Sequence, residues 1–264
     1  MILSSTSDAV TTLTLSRPPV NAICEEWVRA FDAKLDELTN GPPCTVLHIR
    51  SEQKVFCAGA DLKEVGAHMG APDGADRMYA YVAGIQRLYA RIERLPQVTL
   101  AEIGGAAMGG GLELALACDL RIAAAEAKLG LPEARLGLIP GAGGTQRLTR
   151  LCGPATAARI ILSAEILDGT AARALGVVHW AVPLAELAQR AAEIARGIAD
   201  LPAAALAASK ACIAVAAHGD RGGYTDELEF TRTLLNQAET RQRVGAFLAS
   251  PVQSLMQTKN GAAR

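Results

Sequence analysis

The sequence predicts an α/β body followed by an all-helical region at its C-terminal end. Strand and helix patterns alternate up to about residue 182, whereas residues 184–249 carry one helix pattern after another. Of the 264 residues, 50% are hydrophobic and 20% are charged, so the chain has enough apolar material for a sizeable core in one or two domains. We expect a core domain over residues 1–197 and a helical domain over residues 198–264.

Hydrophobic periodicity predicts the elements of the body in order. Apolar residues favour strands over residues 10–15, 45–49, 98–103 and 120–124. Helical spacing predicts a helix over residues 25–39, with an apolar face formed by Trp27, Phe31, Leu35 and Leu38. A longer helix follows the apolar residues from Met78 to Leu95 and is terminated by Pro96, and residues 112–118 predict a buried helix.

The C-terminal region begins with an Ala-rich helix over residues 203–217. Breaks are expected at Leu201-Pro202 and in the glycine-containing stretch 219–223. Helices with apolar faces at a chain end commonly pack on another subunit. We therefore expect this region to contribute to an oligomer.

Charge and composition narrow the classes of function. The chain has 26 Lys+Arg and 27 Asp+Glu, a formal net charge of −1, which argues against nucleic-acid or anionic-membrane binding driven by bulk charge. Aromatic residues make up 4% of the chain, too few for a base-stacking platform. No apolar run is long enough to cross a bilayer, and the first residues do not resemble a signal peptide, so we expect a cytoplasmic protein.

The cysteines and histidines give no metal-binding pattern. The six cysteines include no Cys-x-x-Cys pair, and metal-ligand spacing is missing from the four histidines, which are His48, His68, His179 and His218. Arg147, Arg150 and Arg159 are spread along predicted helices and are expected on solvated faces. We expect reduced thiols, no metal and no other cofactor.

A glycine triplet, Gly109-Gly110-Gly111, leads directly into the buried helix and is followed by Glu113. Glycines allow close approach of a ligand to the backbone, and the first N–H groups of a helix have no intrahelical partners. Such a site is able to hold an oxyanion, and an ionised Glu113 is favoured in the first helical turn. A tight helix–sheet contact with a capping glutamate explains the same residues.

A second carboxylate lies in Leu131-Pro132-Glu133, ahead of the glycine-rich run from Gly137 to Thr145. Pro132 suits the first position of a helix and Glu133 its first turn. Because Glu113 and Glu133 both follow glycine-rich or turn segments at helix starts, we expect them to converge on one pocket. A carboxylate pair is suited to moving protons to and from water and carbon. Two capping glutamates without a catalytic role are the alternative.

A third segment runs from Phe56 through Gly59 and Ala60 to Glu64. Its small side chains leave backbone N–H groups accessible, so Ala60 is a candidate second donor of an oxyanion hole. Taken alone, the segment is equally an ordinary strand-to-helix turn.

Together, the segments 56–64, 104–119 and 131–147 resemble the signature segments of the crotonase superfamily, and especially its enoyl-CoA hydratases. The resemblance runs from Leu15-Ser16-Arg17-Pro18 and Asn21-Ala22 to Ala246-Phe247-Leu248. Three ordered motifs at matching intervals make it specific. It implies a spiral of β-β-α repeats with a C-terminal helical region, assembled as homotrimers or dimers of trimers.

The same resemblance implies an acyl-coenzyme A substrate and assigns site residues. The N–H groups of Ala60 and Gly110 form the oxyanion hole, and Glu113 and Glu133 are the acid/base pair. Binding of the coenzyme A moiety is assigned to Gly110 and to the segment with Ala58, Ala60, Asp61, Leu62 and Lys63. We assign water activation mainly to Glu113 and delivery of the C2 proton to Glu133. A water shared by the two carboxylates is the open alternative.

Several alternatives remain within and beyond this resemblance. Members that only shift a double bond often lack the first glutamate, so Glu113 favours hydration over isomerisation. The run from Gly111 to Asp119 also resembles 3-methylglutaconyl-CoA hydratases. A non-catalytic RNA-binding or scaffold member is the alternative from another class. After Phe247 the chain reads Leu248-Ala249-Ser250-Pro251 instead of the family's basic pair and aromatic tail, so a coenzyme contact there is in doubt and Arg241 or Lys259 are candidate substitutes.

Overall fold

The computed structural model describes residues 1–217 and 223–248. Contacts divide the chain into two compact units, Met1–Asp200 and Leu201–Arg264. The boundary expected after residue 197 lies inside the last turn of a helix that ends at Ala199. His218, Lys259 and the tail residues 249–251 lie outside the described residues.

The first unit contains nine strands and seven α-helices in its described residues. Its first half comprises β1 (Ile2–Ser7), β2 (Val10–Leu15), α1 (Glu25–Asn40), β3 (Val46–Ser51), α2 (Leu62–Met69), α3 (Gly74–Glu93) and β4 (Val98–Ile103). Its second half comprises β5 (Ala107–Met108), α4 (Gly110–Leu116), β6 (Leu120–Ala124), β7 (Lys128–Gly130), a 3₁₀ helix (Pro132–Leu136), α5 (Gly144–Leu162), β8 (Ile166–Asp168), α6 (Gly169–Ala174), β9 (Trp180–Val182) and α7 (Leu184–Ala199).

Two sheets organise these elements. The larger has the order β1-β2-β3-β4-β6-β9, with β1 antiparallel to β2 and the other neighbours parallel. The smaller has the order β5-β7-β8. In β4-β5-α4, and again in β6-β7 and the helices that follow, one strand joins the large sheet, a short strand joins the small sheet, and a helix comes next. The expected α/β body with β-β-α repeats is therefore confirmed.

The core lies between the sheets and the helices, and the predicted apolar faces point into it. Trp27, Phe31, Leu35 and Leu38 of α1 are all buried, and the Trp27 and Phe31 ring centroids are 5.1 Å apart. Burial of each such side chain contributes about 1.5–3 kcal/mol. α3 ends at Glu93, before Pro96, because the backbone before a proline is disfavoured in the helical region.

The second unit comprises α8 (Ala203–Ala217), α9 (Gly223–Leu235) and α10 (Ala238–Leu248), and α8 packs against α9. Large apolar side chains of these helices are exposed in the single chain: Ile213, Leu228, Leu235 and Val244. No single helix in the described part of the chain is long and apolar enough to cross a membrane.

Candidate active site

A buried asparagine fixes the loop that contains Ala60. Asn21 is fully buried, and its side-chain amide donates to the carbonyl of Phe56 (2.9 Å) and to Ser51 Oγ (2.8 Å). The Cys57 thiol donates to the carbonyl of Asn21 at 3.1 Å. Asn21 has a φ of 50°, a left-handed conformation that asparagine adopts more readily than most residues. These bonds hold the end of the β3 segment in place as it turns toward Ala60.

The loops carrying Ala60 and Gly110 lie side by side. A parallel bridge joins Cys57 to Ala107, and the N–H of Met108 donates to the Cys57 carbonyl at 3.0 Å. A Cβ built on Gly110 would lie 3.9 Å from the Ala60 nitrogen. Among the residues that the structure describes, the N–H groups of Ala60 and Gly110 donate to no backbone carbonyl. Two neighbouring N–H groups are thus available to a ligand.

Glu113 is held at the start of α4 with its carboxylate buried; only 2% of the residue is exposed. Its Oε1 accepts a hydrogen bond of 2.7 Å from the N–H of Gly144. A Cβ on Gly144 would lie 2.9 Å from this oxygen, so the close approach requires glycine. Burial raises the pKa of Glu113 to about 7, while the N–H groups of Gly144 and Ala142 and the charge of Arg147 oppose the rise.

Glu133 lies in the first turn of the 3₁₀ helix, after Pro132. The sequence predicts a helix start here, and the structure shows a single short 3₁₀ element. Glu133 Oε1 lies against the start of α4, since a Cβ on Gly109 would be 2.8 Å from it. Glu133 Oε2 is buried and has no hydrogen-bond partner within the described residues. Burial raises the pKa of Glu133.

The two carboxylates therefore meet at the start of α4. The charge of Glu133 is one cause of the raised pKa of Glu113, and Glu133 contacts the residue directly before Gly110. The structure brings Ala60, Gly110, Glu113 and Glu133 together from three separate segments of the chain. Such a site has two N–H donors for a developing oxyanion and two carboxyl groups for proton transfer.

The wider comparison with known proteins agrees with this geometry. A family model described as enoyl-CoA hydratase/isomerase matches residues 5–248. The chain belongs to the enoyl-CoA hydratase/isomerase family.

Relatives and solved structures extend the match. The chain is 41% identical to a probable enoyl-CoA hydratase of Bacillus subtilis, over 72% of this chain and 73% of that protein. It is 43% identical to the human mitochondrial methylglutaconyl-CoA hydratase over 60% of this chain, but the match spans only 45% of that protein. A crystal structure of an enoyl-CoA hydratase from Bacillus anthracis superposes with a TM-score of 0.87 at 32% identity, covering 93% of this chain and 95% of that chain. The crotonase fold is thereby confirmed.

In this family member, the residues expected to bind coenzyme A lie along one loop and the start of α2. Leu62 and Lys63 are exposed. Asp61 is engaged within the protein, since it caps α2 through the N–H of Lys63 and pairs with Arg17 at 2.8 Å. The N–H of Ala58 donates to the carbonyl of Val20. The coenzyme A contacts stay a prediction, with Asp61 in the role of fixing the loop.

One residue near the hydratase-like site is placed differently from expectation. The solvated position predicted for Arg147 is wrong: the residue is 7% exposed, and its guanidinium donates to the carbonyl of Ala142 and to Glu93. Only its place in the segment 131–147 linked Arg147 to the site in the sequence. No sequence pattern singles out Tyr89, whose hydroxyl donates to the carbonyl of Gly110 at 2.7 Å. Arg150 and Arg159 are exposed, as predicted.

Proposed function

We propose that this protein hydrates trans-2-enoyl-CoA thioesters to 3-hydroxyacyl-CoA without a bound cofactor. The observation that carries the proposal is the meeting of two carboxylates, Glu113 and Glu133, beside two N–H groups with no backbone acceptor. These groups supply the base, the acid and the electrostatic stabilisation that addition of water requires. An isomerase needs only one group that moves a proton between carbons, so the second carboxylate favours hydration.

The reaction follows from these groups. Glu113 takes a proton from water while the water oxygen bonds to C3, and the electrons of the C2–C3 double bond move toward the thioester oxygen. The N–H groups of Ala60 and Gly110 stabilise the negative charge on that oxygen, each donor being worth about 3–4 kcal/mol. Glu133 then donates its proton to C2. The pair ends with one proton, now on Glu113, as it began with one on Glu133.

The environments of the two carboxyl groups support this division of roles. Glu113 receives N–H groups from the 142–144 loop and faces the Arg147 cation, and both favour its ionised form. Glu133 Oε2 has no partner among the described residues, and the side chain is only half-buried. We expect a bound acyl-CoA to cover the exposed part of Glu133 and so to favour its protonated form.

The pH dependence of activity is the first consequence. Because hydration needs an ionised Glu113, whose pKa burial raises to about 7, kcat/KM is expected to fall as the pH is lowered through about 7. Because the two carboxyl groups interact, the apparent pKa of this limb belongs to the pair and not to Glu113 alone. Initial rates with crotonyl-CoA from about pH 5 to about pH 9 measure it. A flat profile between pH 6 and 8 contradicts the assigned roles.

A substrate panel tests the proposed activity directly. Loss of absorbance of the conjugated thioester is followed for straight-chain enoyl-CoA esters of four to ten carbons and for 3-methylglutaconyl-CoA. The latter is included because the chain is 43% identical to the human methylglutaconyl-CoA hydratase over their matched region. If the purified protein hydrates none of these esters, the proposal fails. Salt-dependent RNA binding without hydration favours the non-catalytic alternative.

We also propose that the helices of the second unit assemble the chain into a homotrimer or a dimer of trimers. The proposal is supported by Ile213, Leu228, Leu235 and Val244, which are exposed in the single chain. Light scattering of the purified protein is expected to give three or six times the chain mass of 27.5 kDa. A monomer at micromolar concentration contradicts the proposed assembly.

A further inference from the structure

The loop before α5 is held by a partly buried ion pair that the proposed reaction does not itself use. Arg147 Nη1 donates to the carbonyl of Ala142 at 2.8 Å, and Nη2 donates to Glu93 Oε2 at 2.6 Å. The same guanidinium covers Gly143, where a Cβ would lie 2.1 Å from Nη1. Gly143 has a φ of 106°, so another residue here would strain the backbone and would also displace the guanidinium.

The loop that Arg147 holds is also the loop that binds Glu113. The residue after Gly143 donates its N–H to Glu113 Oε1 at 2.7 Å, and the N–H of Ala142 favours the ionised form of the same carboxylate. Arg147 therefore holds the carbonyl side of a peptide segment whose N–H groups face Glu113. A planar guanidinium reaches two acceptors in fixed directions, which a lysine ammonium does not reproduce.

One face of α3 carries the other half of this arrangement. Val82, Gln86, Tyr89 and Glu93 follow one another at helical spacing. Val82 contacts Gly141, and Gln86 Nε2 donates to the Gly141 carbonyl at 2.6 Å. Tyr89 holds the Gly110 carbonyl, and Glu93 holds Arg147. A single helix face thus contacts both the start of α4 and the loop that binds Glu113.

We propose that Arg147, oriented by Glu93, is a positioning residue that keeps the Glu113 carboxylate in place and ionised. Three titratable groups face Glu113: Glu133 from the 3₁₀ helix, Tyr89 from α3 and Arg147 from α5. Arg147 is the cation among them, so its removal leaves the buried surroundings to favour the protonated carboxyl. The inference deepens the proposed function and rests on it for its catalytic consequence.

Arg147→Gln tests the proposal because it removes the charge and one of the two guanidinium nitrogens that bind acceptors. We expect kcat to fall about 10–100-fold, as for a displaced catalytic group, with a much smaller change in KM. The acidic limb of kcat/KM moves to higher pH, since a carboxyl without its cation ionises less readily. Arg147→Lys keeps the charge and returns the acidic limb toward the wild-type pH. Its kcat stays reduced, because an ammonium lacks the paired donors of a guanidinium. Glu93→Gln loosens the guanidinium and gives a smaller change in the same direction.

Arg91→Gln is the matched control. Arg91 lies on the same helix as Glu93 and pairs with Asp32 and Asp36 of α1, at 2.7 and 2.5 Å. Its loss is expected to lower the melting temperature without moving kcat or the acidic limb. If Arg147→Gln behaves like this control, with lower stability and unchanged kinetics, Arg147 is structural and the proposal is overturned.

A second measurement keeps the test independent of turnover. The Glu113 carboxyl is titrated by ¹³C NMR and identified as the signal that Glu113→Gln lacks. The titration midpoint is expected to rise in Arg147→Gln and to stay unchanged in Arg91→Gln. An unchanged midpoint in Arg147→Gln overturns the claim that Arg147 keeps Glu113 ionised, even if kcat falls. If the wild-type protein hydrates no ester, the proposed function fails, and the midpoint alone decides whether Arg147 controls Glu113.

Discussion

Glu113→Gln and Glu133→Gln are each expected to lower kcat by about 10²–10⁴-fold, the range for loss of a general acid or base. Glutamine keeps the shape of the side chain, and in Glu113→Gln its amide oxygen still accepts the bond from the Gly144 N–H. What it lacks is the ability to take the proton of water at position 113 or to give a proton to C2 at position 133. Initial rates at saturating crotonyl-CoA measure the fall in kcat.

Binding provides the control for these variants. The N–H groups of Ala60 and Gly110 belong to the backbone, so neither substitution removes them. Affinity for a saturated acyl-CoA is expected to change far less than kcat. Because both carboxyl groups act on one water and one enolate, the double variant is expected to be much less impaired than the product of the two single losses. Fully multiplicative losses contradict a shared reaction step.

Deuterium exchange from solvent at C2 separates the two roles. Exchange requires a group that gives a proton to C2 and takes it back, which we assign to Glu133. Glu133→Gln is expected to lose the exchange almost completely, whereas Glu113→Gln retains part of it. Loss confined to Glu113→Gln reverses the assignment.

These experiments depend on residues that sequence patterns identified unevenly. The apolar face of α1 and the position of Glu113 in the first turn of α4 follow from local spacing, and the structure places both as predicted. No pattern predicts β1, because Ser4, Ser5 and Thr6 give no apolar alternation. Its hairpin turn is formed by Asp8 and Ala9, both with positive φ, which are not a usual pair for such a turn. Strands of two or three residues, such as β5 and β7, are likewise too short for a periodicity.

The supporting contacts of the site are harder to predict, because their partners are distant in the chain. Glu93 lies 54 positions before its partner Arg147 in the chain, and Asn21 bonds to Phe56 across 35 positions. A helical arginine with polar neighbours has the pattern of a solvated face unless the carboxylate opposite it is known. Glycine-rich helix starts and the family resemblance therefore identified the groups proposed to react, and only the fold revealed the groups that hold them.

Replacing the Ala60 N–H by an ester oxygen is expected to lower kcat by about 10²–10³-fold, the typical effect of losing one oxyanion-hole donor. Incorporation of lactic acid at position 60 makes this change and keeps the methyl side chain. The fold loses no hydrogen bond donated by Ala60, since its N–H donates to no backbone carbonyl within the described residues, and the bond from the Ile23 N–H to the Gly59 carbonyl is weakened but kept. Stability is therefore expected to change little, which distinguishes this variant from ordinary backbone damage.

The same ester at Ala125 is the matched control. The N–H of Ala125 donates to the Val182 carbonyl at 2.7 Å, in the turn after β6. Its loss removes a hydrogen bond worth about 0.5–1.5 kcal/mol of stability and is expected to leave kcat unchanged. If the Ala60 N–H is an oxyanion donor, the ester at position 60 lowers turnover and the ester at position 125 lowers stability. If the ester at position 60 leaves kcat within threefold of the wild type, the thioester oxygen is stabilised elsewhere, because this variant has no N–H at position 60.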